Sequence, residues 1–209
     1  MSELTFYTNP MSRGRIVRWM LEEVGAPYET QYLGYDSDGM KSAAYKAINP
    51  MGKVPAIKHG DTVVTECAAI CAYLADAFPQ ANLAPAITDR GTYYRWFFYA
   101  AGPLEMAVTT KAMGFEIGPD KQRMAGCGAY SDVMDTLEHA LNANRYVAGD
   151  QFTAADVYIG SQINWGLRFG SIEKRQRFVD YLADLQDRSA YKRAWQMDDD
   201  AVKAQQAAG

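Results

Sequence analysis

The strand and helix signals of this 209-residue chain change character at residue 79. Before that point, short β-prone runs alternate with apolar residues at helical spacing, which predicts the order β-α-β-α-β-β-α. From residue 86 onward, only helical periodicity continues. The pattern therefore predicts an α/β domain over residues 1–78, a linker over 79–85 and an all-helical domain over 86–209.

The predicted elements of the first domain are short, and those of the second are longer. The strands are expected at residues 4–7, 28–32, 54–58 and 62–65, and the helices after Ser12, at 41–48 and at 66–78. In the second domain we expect a bend at residues 102–103, a helix marked by apolar positions from 124 to 141, a short last helix at 191–197 and a frayed tail from Asp198.

One helix start in the second domain has a specific sequence signature. Thr153 stands where an N-cap belongs, and Asp156 follows at the third helical position, which together form a capping box. Phe152 and Val157 flank it as a hydrophobic staple. A well-nucleated helix is therefore expected to begin after Thr153.

The composition narrows the class of protein. Apolar residues make up 48% of the chain, charged residues 22%, and the net charge is −4, so a globular fold is expected and nucleic acid is not an expected partner. No stretch approaches the roughly 20 apolar residues of a membrane helix, which favours a cytosolic protein without a membrane partner. Three cysteines without a Cys-x-x-Cys pair and two histidines indicate neither a disulfide framework nor a metal site.

The stretch around Pro55 is the most informative local sequence. A proline at the start of a strand cannot donate to a β-ladder, so it is tolerated only at an edge or in a special turn. A cis Val54–Pro55 bond would leave the backbone N–H and C=O of Val54 free to pair with an extended peptide. An ordinary proline on an edge strand is the alternative.

Two helix starts carry candidate polar groups. The hydroxyl of Ser12, at the first strand-to-helix turn, could donate a hydrogen bond to a bound thiolate and so lower a thiol pKa from near ~8.5. Alternatively, Ser12 is simply an N-cap. Glu66 lies beside the unpaired N–H groups of the next helix, where the two could hold both ends of an amino acid, or Glu66 could merely complement the helix dipole.

Together these segments resemble the cytosolic glutathione S-transferases of the bacterial type. The resemblance covers nearly the whole chain, and its motifs are Phe6-Tyr7 through Ser12-Arg13-Gly14-Arg15, Arg18-Trp19, Leu21-Glu22-Glu23, Gly25, Asn49-Pro50, Gly52-Lys53-Val54-Pro55, Thr65-Glu66-Cys67, Ile70, Tyr73-Leu74 and Phe152-Thr153 with Ala155-Asp156. It implies a thioredoxin-like N-terminal domain followed by an all-α C-terminal helical bundle.

The resemblance also implies roles for individual residues toward glutathione, the expected co-substrate. Val54 would pair with the cysteine of glutathione, Lys53 would reach its glycine carboxylate, and Glu66 with residue 67 would hold the γ-glutamyl end. Ser12 ranks first as the group that stabilises the thiolate, and Tyr7 second. Cys67 departs from the serine that the family usually has there, and a thiol is the weaker hydrogen-bond donor.

The expected activity is attack of the glutathione thiolate on an apolar electrophile. Met11, Phe98 and Met106 are the candidate contacts of that electrophile, whose identity the sequence does not give. The resemblance further implies a cytoplasmic homodimer that serves detoxification. Two alternatives are a non-catalytic glutathione-binding or scaffolding module of the same fold, and a glutathione-dependent peroxidase or thiol oxidoreductase.

Overall fold

A four-stranded sheet with helices forms the first part of the chain in the computed structural model, which describes residues 3–208. The strands are β1 (Leu4–Thr8), β2 (Glu29–Tyr32), β3 (Ala56–His59) and β4 (Thr62–Thr65). The helices between and after them are α1 (Gly14–Val24), α2 (Ala43–Lys46) and α3 (Cys67–Ala77). This order confirms the predicted thioredoxin-like arrangement.

The strand order in the sheet is β2-β1-β3-β4. β1 runs parallel to β2 and antiparallel to β3, and β3 runs antiparallel to β4. β3 is therefore an inner strand with a hydrogen-bonded neighbour on each side. The prediction that Pro55 precedes an edge strand is wrong, because strand order depends on pairings between segments that are distant in sequence.

The first helix forms because its apolar residues recur at helical spacing. Ile16, Val17, Met20 and Leu21 are buried, as predicted from the 3.6-residue period. The N–H of Gly25 donates to the carbonyl of Leu21 at 3.0 Å and closes the last turn. α1 thereby buries one long apolar face and ends before its C-cap, Gly25.

Five α-helices lie between residues 83 and 187. They are α4 (Gly91–Tyr99), α5 (Glu105–Ala112), α6 (Tyr130–Ala143), α7 (Ala154–Phe169) and α8 (Gln176–Gln186). Short 3₁₀ turns cover Pro79–Ala81, just before this part of the chain, and Ile87–Asp89 within it. The bend predicted at residues 102–103 is a π-helical segment, Ala100–Leu104, that contains Pro103. Proline has no N–H to donate, so the backbone widens its turn there.

The helix predicted from Met124 begins only at Tyr130. Residues 113–129 are irregular, and Gly126 and Gly128 lie in that stretch. Glycine is costly in a helix interior, and the apolar spacing from 124 to 127 does not overcome that cost. The capping box before α7 is confirmed: Thr153 is the N-cap, and both of its reciprocal bonds with Asp156 are present.

The end of the chain differs most from the sequence prediction. α9 runs through Ser189–Ala208, where we predicted a short helix and a frayed tail from Asp198. Asp198 is only 1% exposed and lies 3.3 Å from the Nε of the fully buried Arg18 on α1. The partner of Asp198 is 180 residues away in sequence. The charged residues around Asp198 therefore look like a solvated tail when only the local sequence is considered.

The packing of α9 against α1 also determines how the chain divides into two compact units. One unit contains the chain up to Asn82 together with the segment from Arg188 onward, and the other unit is Leu83–Asp187. The sequence pattern had placed the whole of residues 86–209 in one helical domain. No helix within residues 3–208 combines the length and the apolar character needed to cross a membrane.

Candidate active site

Three loops of the sheet unit meet at one end of the sheet. Ala56, the first residue of β3, pairs with both Tyr7 near the end of β1 and Thr65 at the end of β4. Because both pairings are antiparallel, the segment after β1, the segment before β3 and the segment after β4 emerge on the same side. These segments carry Ser12, Val54 and Glu66, the main predicted site residues.

The turn after β1 is organised by Asn9. Its side-chain Oδ1 accepts the N–H of Met11 at 2.9 Å, and its Nδ2 donates to the carbonyl of Leu33, also at 2.9 Å. The backbone carbonyl of Asn9 accepts both the N–H and the hydroxyl of Ser12, at 3.0 and 2.7 Å. A single buried asparagine thus fixes the position of Ser12.

Ser12, the predicted N-cap of α1, lies one residue before the observed one. The N-cap of α1 is Arg13, and the Ser12 Oγ accepts the N–H of Gly14 at 2.9 Å. The hydroxyl is half-buried, and its hydrogen is directed to the Asn9 carbonyl in this state. Rotation about the C–O bond can redirect that hydrogen to a ligand, since the Gly14 N–H holds the oxygen itself in place.

The loop before β3 is fixed from within by a second asparagine. Asn49 accepts the N–H of Met51 through Oδ1 at 3.1 Å and donates through Nδ2 to the carbonyl of Lys53 at 2.8 Å. The hydroxyl of Tyr45 donates to the same carbonyl at 2.7 Å. Gly52 has a φ of +57°, and a Cβ there would lie 2.8 Å from the Met40 carbonyl oxygen, so this turn requires glycine.

These bonds set the orientation of the Val54 backbone. In a trans peptide the C=O and the N–H point to opposite sides, so anchoring the Lys53 carbonyl inward turns the Val54 N–H outward. Within residues 3–208, the backbone N–H and C=O of Val54 have no hydrogen-bond partner. The Val54–Pro55 bond is cis, as the sequence indicated.

Glu66 stands at the start of α3 in an unusual backbone conformation. Its φ is +68°, a value that costs a non-glycine residue energy and that native structures tend to keep at functional positions. Its carbonyl accepts the N–H of Ile70 at 2.9 Å, while its exposed side chain has no partner within the described residues. The carboxylate therefore stands free beside the N-terminus of α3.

Cys67 is buried and packs toward the first turn. Its Sγ lies 3.7 Å from the carbonyl oxygen of Arg13, so the thiol ties the start of α3 to the start of α1. This arrangement favours a packing role over a reactive one. Cys71, one turn later, is fully buried, and burial raises its pKa well above the usual range for a thiol.

Tyr7 packs against the loop before β3. Its ring packs against Tyr45 with the ring centroids 5.7 Å apart, in the cluster that also contains Met40 and Val54. Burial raises the pKa of Tyr45 to about 12, so its hydroxyl stays a donor to Lys53. The arrangement makes Tyr7 a supporting wall for Val54.

The remaining predicted residues are solvent-exposed. The side chain of Lys53 is exposed, and its ammonium has no partner within residues 3–208. Met11 is 60% exposed on the turn that carries Ser12, and Phe98 on α4 and Met106 on α5 are 74% and 38% exposed.

Sequence reasoning missed the three residues that hold the site together, Asn9, Asn49 and Tyr45. A signal was present, because both asparagines occur in the tripeptide Asn-Pro-Met. Asparagine before proline favours a turn in which its side chain accepts the N–H two residues later, and both turns have that bond. Tyr45 had no comparable sequence signal.

Comparison with known proteins gives this geometry a family context. Residues 11–77 match the family model described as glutathione S-transferase, N-terminal domain. A Zea mays protein named glutathione S-transferase 3 is 29% identical over 167 residues, which is 75% of this chain and 75% of that protein.

Solved structures extend the similarity to most of the chain. A glutathione transferase from Methylococcus capsulatus matches with a TM-score of 0.77 and 25% identity, over 93% of this chain and 98% of the other. A theta class glutathione S-transferase from Xanthomonas axonopodis pv. citri, solved with glutathione bound, matches with a TM-score of 0.75 and 27% identity, over 93% and 97%.

Proposed function

We propose that this chain, which belongs to the glutathione S-transferase family, binds glutathione at the end of its sheet and presents the ionised thiol to an apolar electrophile. The observation that carries this proposal is the backbone of Val54. Its N–H is turned outward by two hydrogen bonds to the Lys53 carbonyl, at 2.7 and 2.8 Å, and both of its own polar groups lack partners within residues 3–208. An extended peptide can satisfy both groups as an added strand.

The charges beside Val54 suit the two ends of glutathione. Lys53 offers an exposed ammonium for the glycine carboxylate. Glu66 offers a free carboxylate for the α-ammonium of the γ-glutamyl end, while the N–H groups at the start of α3 suit its α-carboxylate. Residue 67 contributes its backbone there.

Ser12 supplies the donor for the sulfur in this proposal. When the thiol ionises, its proton passes to solvent, and the Ser12 hydroxyl hydrogen turns from the Asn9 carbonyl to the thiolate. The thiolate then uses an electron pair to form a bond with an electrophilic carbon, and the leaving group departs with the electrons of the broken bond. Proximity and stabilisation of the thiolate supply the rate enhancement.

Main-chain pairing at Val54 can be tested with a modified ligand. Glutathione methylated on the nitrogen of its cysteine residue keeps both charged ends but loses the N–H that pairs with the Val54 carbonyl. We expect it to bind at least about tenfold more weakly than glutathione in calorimetry, because one hydrogen bond is lost and its partner is blocked. Equal affinities would rule out strand-like binding.

The role of Ser12 can be tested by titrating the bound thiol. In Ser12→Ala, the pH at which the thiolate absorbs in the ultraviolet should rise toward that of free glutathione, while glutathione affinity changes little. Ser131→Ala, which changes an exposed serine on α6, serves as the matched control. An unchanged titration in Ser12→Ala would transfer the role to Tyr7 or to backbone donors.

The predicted contacts of the electrophile are Met11, Phe98 and Met106. Replacing Met11 with serine should lower kcat/KM for an apolar aromatic electrophile more than for a small polar one. Met124→Ser is the control, because Met124 is 89% exposed in the irregular stretch 113–129.

A panel of aryl halides, unsaturated aldehydes and organic hydroperoxides separates conjugation from peroxide reduction, and glutathione binding without any turnover would indicate a scaffolding module.

We also propose that the protein acts as a cytoplasmic homodimer in detoxification, as family membership implies. A groove of about 670 Å³ between α4 and α6, lined by Trp96, His139 and Ala143 among others, offers a surface for a second copy. Light scattering should give twice the 23.2 kDa chain mass. Ala143→Arg should shift the protein toward monomer if this groove forms the interface.

A further inference from the structure

The last helix meets the first helix through a matched pair of charges. Arg15 and Arg18 lie one turn apart on α1, and the adjacent Asp199 and Asp198 on α9 face them at 2.8 and 3.3 Å. The inner pair is completely buried, since Arg18 is inaccessible and Asp198 nearly so. Burial raises the pKa of Asp198, and the charges of Arg18 and Arg15 oppose that rise.

The outer pair clamps one guanidinium between two side chains of α9. The Nη1 of Arg15 contacts the Oδ1 of Asp199, and the guanidinium carbon lies 4.7 Å from the centre of the Trp195 ring. The Nη1–Oδ1 distance is short but lacks hydrogen-bond geometry, so charge attraction and the aromatic face are what restrain the guanidinium. These two contacts hold Arg15 against α9.

The third contact of Arg15 reaches the turn that carries Ser12. Its Nε donates to the carbonyl of Pro10 at 2.6 Å. The same turn is anchored on the sheet side by the bond from Asn9 to the Leu33 carbonyl. Arg15 thus provides the anchor on the helix side, two residues before Ser12.

We propose that Arg15, held by Asp199 and Trp195 of α9, is a positioning residue that sets where the Ser12 hydroxyl meets the thiolate. The inference rests on the proposed function, because it assigns the last helix a part in ionising bound glutathione. It also gives a use to the first two of the three consecutive aspartates at 198–200, whereas Asp200 contacts Gln196 and Lys203.

The decisive variant is Asp199→Asn, which removes the charge that holds Arg15 and keeps the size of the side chain. Asp199 is 51% exposed, so the variant is expected to fold. Bound glutathione should ionise at a pH higher by roughly half a unit or more, which is about a threefold change in the thiolate fraction below the midpoint. At neutral pH, kcat should fall by a similar factor while KM for glutathione stays within about twofold.

Two further variants make the result specific. Trp195→Leu leaves both charges in place and removes the aromatic face, and it should shift the thiol titration in the same direction. Asp200→Asn changes the neighbouring aspartate that has no contact with α1 among the described residues, and it should titrate like the wild type. Amide exchange of the turn at residues 10–12 should be faster in Asp199→Asn than in Asp200→Asn.

The outcomes separate this inference from the proposed function. If Ser12→Ala shifts the thiol titration but Asp199→Asn and Trp195→Leu both titrate like the wild type, the positioning role of α9 is overturned and the proposed function stands. If glutathione bound to the wild type ionises at the same pH as free glutathione, both are overturned. A loss of thermal stability without a change in titration would mark the clamp as purely structural and also overturn the inference.

Discussion

Replacing Asp156 with alanine removes the acceptor of four hydrogen bonds at the start of α7. The carboxylate accepts the N–H of Val147 at 2.8 Å, the N–H and hydroxyl of Thr153 at 2.9 and 3.0 Å, and the hydroxyl of Tyr181 at 2.8 Å. All three partner residues are buried. Their donors would lose their acceptor in a place that water reaches poorly.

The loss in the free energy of unfolding can be estimated from these contacts. Each buried donor left without an acceptor costs about 1–3 kcal/mol, and four donors on three residues are affected. The carboxylate itself is buried, and burial raises its pKa, so removing it also relieves some desolvation. We expect a net loss of roughly 3–5 kcal/mol in the free energy of unfolding.

Urea unfolding followed by tryptophan fluorescence measures this loss. With a slope of roughly 2–3 kcal/mol/M, the midpoint should fall by about 1–2.5 M. Asp132→Ala is the matched control, because Asp132 occupies the same third helical position of α6 but is exposed, and it should cost less than about 1 kcal/mol. Equal effects of the two variants would refute the argument, since burial of the partners would then not matter.

Three further predictions concern the loop before β3. Tyr45→Phe should weaken glutathione binding about fivefold in calorimetry, and equally at pH near 6.5 and near 8.5, because the donor proton is lost only as pH rises through the native pKa of about 12. Gly52→Ala should lower the free energy of unfolding by about 1–3 kcal/mol in urea, whereas Gly91→Ala, where a Cβ meets nothing within 4 Å, should be nearly neutral. Lys53→Ala should reduce both glutathione affinity and its dependence on salt concentration, and an unchanged salt dependence would exclude Lys53 as the carboxylate partner.

Local sequence patterns predicted the parts of the fold that local forces determine. The apolar period of α1 and the capping box before α7 each rest on residues within a few turns of one another, and the structure has both. The irregular stretch before α6 was missed because apolar spacing was weighted above two glycines. The buried pair of Arg18 and Asp198 was missed because nothing near either residue identifies its partner.

The candidate site likewise combines features that the local sequence predicts with features that depend on residues distant in sequence. Pro55 marked the loop correctly, yet the inner position of β3 depends on its pairings with both β1 and β4. The hydrogen-bond acceptor of the Ser12 hydroxyl and the donors to the Lys53 carbonyl come from backbone and side-chain placements that appear only once the chain is folded. Types of residue were therefore predictable, and their hydrogen-bond states were not.

The two Asn-Pro-Met turns have a consequence for how fast a ligand can be captured. Each turn is held by contacts of its own asparagine, so the receptor surface exists before any molecule arrives. Little backbone freedom is left to lose on association, and the entropic penalty falls mainly on the flexible tripeptide. Encounter rates should then be limited by diffusion and orientation, with no slow rearrangement of the protein beforehand.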